Sequence, residues 1–100
     1  MSSKSLYTVI ADYKGGTYCS QVHAQDEAHA FKEWIQAIPN DTEVALQFTS
    51  QGIKDLERID WNNEDRPGPL NGLINAWCSS IILNEELCLI NIIQTWTHDS

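Results

Sequence analysis

Apolar and polar residues alternate over residues 6–13 and again over 17–24, with Lys14-Gly15-Gly16 between the two runs. A period of two marks a strand with one covered face, and Gly-Gly supplies the positive φ angles that a two-residue hairpin turn needs. Pairing outward from Gly15-Gly16 sets Tyr13 opposite Tyr18, Ala11 opposite Ser20, Val9 opposite Val22 and Tyr7 opposite Ala24. All eight then share one face. Thr8, Ile10, Asp12, Cys19, Gln21 and His23 form the other, which the polar majority predicts to be solvated.

The period changes after Ala24. Ala28, Phe31, Trp34, Ile35 and Ile38 follow a helical spacing, Asp26 can cap the first turn, and Pro39-Asn40 ends the run, which predicts a helix from Asp26 to about Ile38. Val44, Leu46 and Phe48 then alternate with Ala45 and Gln47 as a short strand. Thr49 or Ser50 can cap a second helix through Ile53, Leu56 and Ile59, with Gly52 a weak point in it. Residues 61–69, Trp-Asn-Asn-Glu-Asp-Arg-Pro-Gly-Pro, read as a turn-rich loop.

Residues 73–83 and 87–96 are rich in Ile, Leu and Trp, and Asn84-Glu85 fits the turn between them. These are the predicted central strands. In the register that this turn sets, Trp77, Ile81, Ile90 and Ile92 share one face and are expected in the core. Both parities are apolar, so both faces of this hairpin are expected to be covered at least in part, by a second layer or by a second copy of the chain. The resulting order is β-β-α-β-α-β-β: an α+β two-layer sandwich, mainly antiparallel, with helices on one face.

Composition narrows the function classes. One hundred residues with 42% hydrophobic content suit one domain over residues 1–100. No run reaches the roughly 20 apolar residues of a spanning helix, and the N-terminus lacks a signal-peptide pattern, so the expected location is cytoplasmic, away from membranes. Fourteen carboxylates against six Lys and Arg give a formal charge of −8. A field of that sign repels nucleic acid, and Lys4, Lys14, Lys32, Lys54, Arg58 and Arg66 are too scattered for a nucleic-acid patch. It speeds encounter with a basic protein.

No catalytic, cofactor or metal motif accompanies the acidity. Cys19 and His23, with Asp12 facing Cys19 in the expected register, are the one local nucleophile-base candidate, but four residues of strand hold Cys19 and His23 roughly 13 Å apart. The same spacing spoils a metal site from Cys19, His23 and His29. Cys78 and Cys88 fall on opposite faces, three rungs apart, and are expected as reduced thiols in core packing. Asn40-Asp41-Thr42 matches a glycosylation sequon and reads as plain loop. No catalytic role, cofactor or metal is expected.

The acids are uneven: Asp55, Glu57, Asp60, Glu64 and Asp65 lie within eleven residues and flank Trp61. One reading is a solvated helix end with Trp61 tucked into the core. The other is a partner surface made of Asp55, Glu57, Asp60, Trp61, Glu64 and Asp65, with the acids steering a cationic protein and Trp61 as anchor. Tyr-Lys-Gly-Gly-Thr-Tyr at 13–18, the Trp-bearing helix, Leu-Asn-Gly-Leu-Ile-Asn-Ala-Trp-Cys at 70–78 and Leu-Ile-Asn-Ile-Ile-Gln-Thr at 89–95 resemble a group of small bacterial proteins. In size and acidity the chain is similar to the immunity proteins of contact-dependent and other polymorphic toxin systems. That resemblance implies a cytoplasmic, non-enzymatic protein that binds and neutralises a cognate basic toxin domain, often a nuclease. Those proteins differ widely in fold and sequence, so it carries over no functional residue. The alternative is a small structural or regulatory subunit that homodimerises through the C-terminal hairpin.

Overall fold

The turn at Lys14-Gly15 sets the first hairpin. In the computed structural model, which describes residues 4–40 and 42–95, Lys14 and Gly15 both have positive φ, 50° and 79°. They join β1 (Ser5–Tyr13) to β2 (Gly16–Ala24). The turn lies one residue earlier than the Gly-Gly pair predicts, so Tyr13 faces Gly16, Ala11 faces Tyr18, Val9 faces Ser20 and Tyr7 faces Val22. The register thus slips by two residues, which preserves every face assignment. Gly16 serves the strand instead: a Cβ there would come within 2.6 Å of the Tyr18 hydroxyl.

Helix α1 (Glu27–Ala37) starts where the sequence places it. The Asp26 side chain accepts the His29 backbone N–H at 2.8 Å, and the His29 ring Nδ1 lies 2.7 Å from the same oxygen. Burial pushes the Asp26 carboxyl up, but those hydrogen bonds and the charges of His29 and Arg66 outweigh it and hold it below its ordinary range. Ala28, Phe31, Trp34 and Ile38 are buried as the stripe predicts. A single 3₁₀ turn, Ile38–Asn40, follows.

The expected strand over 44–48 is absent. Residues 42–56 form one helix, α2 (Thr42–Leu56). The three alternating apolar positions satisfy a strand only locally, whereas positions 45, 48, 49, 52, 53 and 56 keep a helical spacing over the longer window. Gly52 is buried within α2 instead of ending it. Asp41, in the sequon, lies outside the described residues.

The C-terminal hairpin follows the expected register. Asn84 and Glu85 take positive φ, 52° and 67°, and join β4 (Ala76–Leu83) to β5 (Glu86–Thr95) with Ile81 opposite Cys88. A two-residue β3 (Gly68–Pro69) adds to β4, and the antiparallel sheet runs β2-β1-β5-β4-β3. Trp96 and His98 lie outside the described residues.

Both helices cover one face. Val9, Ala11, Tyr13, Leu83, Cys88, Ile90 and Ile92 form the core with Phe31, Trp34, Phe48 and Leu56. Tyr13 stacks on Phe48 at 4.7 Å and donates its hydroxyl to the Leu83 carbonyl at 2.9 Å. Trp77 reaches only the rim, half-buried against the Tyr7 ring. The result is an α+β two-layer sandwich.

The expected cover on the second face is missing among the described residues. Ile82, Leu87 and Leu89 are 60%, 53% and 45% exposed. Cys78 belongs to this open face and is exposed, contrary to its expected core role, while Cys88 is buried. The parity of the hairpin is right; the apolar second parity faces outward. No described helix is long and apolar enough to cross a membrane.

Candidate functional site

The acidic loop after α2 is fastened to both layers. Asp65 donates its backbone N–H to the Asp60 carbonyl at 2.9 Å and accepts the Asp60 N–H on its carboxylate at 2.8 Å. Arg66 donates to the Glu27 carboxylate at 3.2 Å, joining the loop to the first turn of α1. The Ser79 hydroxyl donates to the Asp65 carbonyl at 3.0 Å, joining it to β4. Trp61 is half-buried against the core, with the His29 ring edge-on at 5.1 Å and the Lys32 ammonium 5.5 Å from its ring centre. It therefore braces the loop more than it projects from it.

Between this loop, the end of α2 and β4 lies a groove of about 820 Å³. Its lining comes from Gln51, Asp55, Arg58 and Ile59, from Asp65, from Ser80, Ile81 and Ile82 of β4, and from Asn84 and Glu85 of the following turn. Three carboxylates thus face it against one guanidinium. Of the sequence-selected residues, the structure brings Asp55 and Asp65 to the groove. Glu57, Asp60 and Glu64 are exposed outside it, and Trp61 stands apart from its lining.

Asp55 is set by its neighbours. Its carboxylate accepts the Asn84 backbone N–H at 2.8 Å and the Gln51 side-chain amide at 2.9 Å. The Asn84 bond first, then the Gln51 bond and the Arg58 charge, hold its carboxyl below the ordinary aspartate range. It stands ionised in the groove at neutral pH.

The groove also borders an unpaired strand edge. Leu70 donates its backbone N–H to the Ala76 carbonyl at 3.0 Å, which shows that Ala76 turns its backbone away from β5. By the two-residue alternation of a strand, Cys78, Ser80 and Ile82 do the same. Strand β3 pairs only as far as Cys78. Beyond it no described residue pairs with this edge, so the N–H and C=O groups of Ser80 and Ile82 point outward beside the groove.

Sequence reasoning missed Glu85, Arg58 and this edge. Asn84-Glu85 was legible as a turn, and Gln51, Asp55 and Arg58 fell within the expected second helix, but spacing along the chain does not show that the end of this helix meets that turn.

The other chemical candidates are not assembled. Asp12 pairs with Thr17, not Cys19, and accepts the Thr17 hydroxyl at 2.7 Å; the two-residue slip of register moved it. Cys19 and His23 share the open face four residues apart on β2. Cys19, Ile10, Asn91 and Cys78 form one row across the sheet, which separates the exposed thiols by roughly 14 Å at about 4.8 Å per strand. Burial, with a smaller contribution from Asp12, pushes the Cys88 thiol up to about 12. Among the described residues, no three His, Cys, Asp or Glu side chains are gathered in a way that could hold a metal ion. Comparison with protein-family models, with curated proteins and with solved structures returns no match.

Proposed function

We propose that the chain is a non-enzymatic binding protein of the immunity type, whose acidic groove and rim receive a cationic protein and block its active site. The observation that carries this reading is the fastened loop: Asp60, Glu64 and Asp65 stand on a segment tied to α1 and β4, next to a groove lined by Asp55 and Glu85. Charges on a held surface give steering without an ordering cost at binding. The chain's net charge of −8 acts in the same direction over a longer range. A cognate toxin domain, including a basic nuclease, fits that chemistry.

The test is co-expression with the product of the adjacent gene, where an immunity protein's partner is encoded. The reading predicts relief of that product's toxicity and a one-to-one complex that dissociates in high salt. No relief and no complex would overturn it.

A second reading rests on the open sheet face. Ile82, Leu87 and Leu89 expose apolar surface there, and contiguous patches of this kind mark association sites. On this reading two copies pack these faces together through the C-terminal hairpin. Sedimentation should then show a dimer that Leu89→Lys converts to monomer; a monomer at all concentrations would exclude it.

A further inference from the structure

We propose that the free edge of β4 accepts an extended segment of the partner as an additional strand, with cationic and apolar residues alternating along it. The inference rests on the proposed binding of a cationic protein and specifies how that protein is held.

Three observations converge on the edge. The outward N–H and C=O groups of Ser80 and Ile82 lie past the end of β3, and such a row is a template for pairing with another chain. The groove leaves room beside it, about 820 Å³ bounded by α2 and the acidic loop. The two sides of the edge differ in chemistry. On the helix side stand Asp55, Asp65 and Glu85, with Arg58 the single cation. On the open side stands Ile82, 60% exposed, opposite Leu87, 53% exposed.

Side chains of an added strand alternate between those two sides. The residues turned toward α2 meet carboxylates, and their Lys or Arg side chains complement them. The residues turned the other way extend the apolar row of Leu87 and Ile82. Main-chain hydrogen bonds to Ser80 and Ile82 supply affinity with little regard for sequence, and the two-sided chemistry supplies the selection. A helix from the partner would leave the edge groups unpaired, which is why an extended segment is favoured.

The probe is a blocked peptide, Lys-Val-Lys-Thr-Lys-Val-Lys, titrated into the full chain while amide exchange is followed. Two isomers carry N-methyl groups either on the Lys amides or on the Val and Thr amides. Only one of these sets faces β4, so strand addition predicts that one isomer binds at least about tenfold more weakly, as loss of two or more hydrogen bonds implies, while the other binds normally. The Ser80 and Ile82 amides should exchange more slowly in the complex. Ser80→Pro, which removes an outward N–H and leaves the hairpin bonds to β5 intact, should weaken binding similarly. The isomers test the same point should that variant not fold.

Equal binding of both isomers, with unchanged exchange at Ser80 and Ile82, would overturn strand addition while leaving the charge-based reading in place. Equal binding of the glutamate analogue Glu-Val-Glu-Thr-Glu-Val-Glu would overturn the charge selection. Absence of binding by any peptide would overturn the strand-addition proposal, and only failure of the co-expression test would remove the reading beneath it.

Discussion

Asp55 accepts the backbone N–H of Asn84 at 2.8 Å, so the last turns of α2 are tied directly to the turn between β4 and β5. One carboxylate thereby joins the two layers at the mouth of the acidic groove. Asp55→Ala should lower the denaturant midpoint. The folded carboxyl titrates below its ordinary 3.8, so its contribution is complete above the unfolded value and is lost as pH falls through the folded one. Unfolding curves of wild type and variant should differ at pH 7 and converge on acidification below about pH 4; a pH-independent gap would assign the effect to packing.

Ile90 is fully buried on the central strand β5, facing Ala11 and Ser79 across its two neighbours. Ile90→Ala should cost about 2 to 5 kcal/mol by chemical unfolding, the range for removing buried aliphatic volume. A loss under about 1 kcal/mol would place the residue outside the core.

The three thiols should separate in a titration with an aromatic disulfide reagent. Cys19 and Cys78 are exposed and should react in the folded protein, whereas Cys88, buried and pushed up to about 12, should react only on unfolding. Rapid reaction of all three in native buffer would contradict the register of β5.

Trp61 braces the acidic loop through contacts with the core, His29 and Lys32. Trp61→Ala should cost about 1 to 3 kcal/mol, less than the 3 to 5 of a fully buried aromatic. An unchanged midpoint in urea would mean that the ring does not hold the loop.

Much of this fold was legible because its signals are local. The Asn84-Glu85 turn and the shared face of Ile81, Ile90 and Ile92 fixed one hairpin in its observed register. The cap and stripe of Asp26, Phe31 and Trp34 fixed the first helix. The first hairpin slipped by two residues because Lys14 adopts a positive φ that Gly16 was expected to supply, a choice invisible to residue type alone. The strand expected over 44–48 failed because a five-residue window can satisfy both periods, and only the length of the helical run decides. The acidic residues were visible as a cluster in sequence, yet the groove joins just Asp55 and Asp65 of them with Glu85, from a turn twenty residues further along. Tertiary contact made that grouping, and spacing along the chain does not encode it.

The central claim, that the acidic rim steers a cationic partner, is tested most directly by the rate of association with the adjacent gene's product across ionic strength. Glu57, Asp60 and Glu64 are exposed and can be reversed together to Lys, sparing Asp65, whose carboxylate holds the Asp60 N–H. For the unaltered chain the rate should fall steeply as salt rises through the range where screening shortens charge interactions to about 8 Å. The reversed variant should associate at least about tenfold more slowly at low salt, with dissociation little changed. Equal association rates and equal salt dependence for the two proteins would contradict the account.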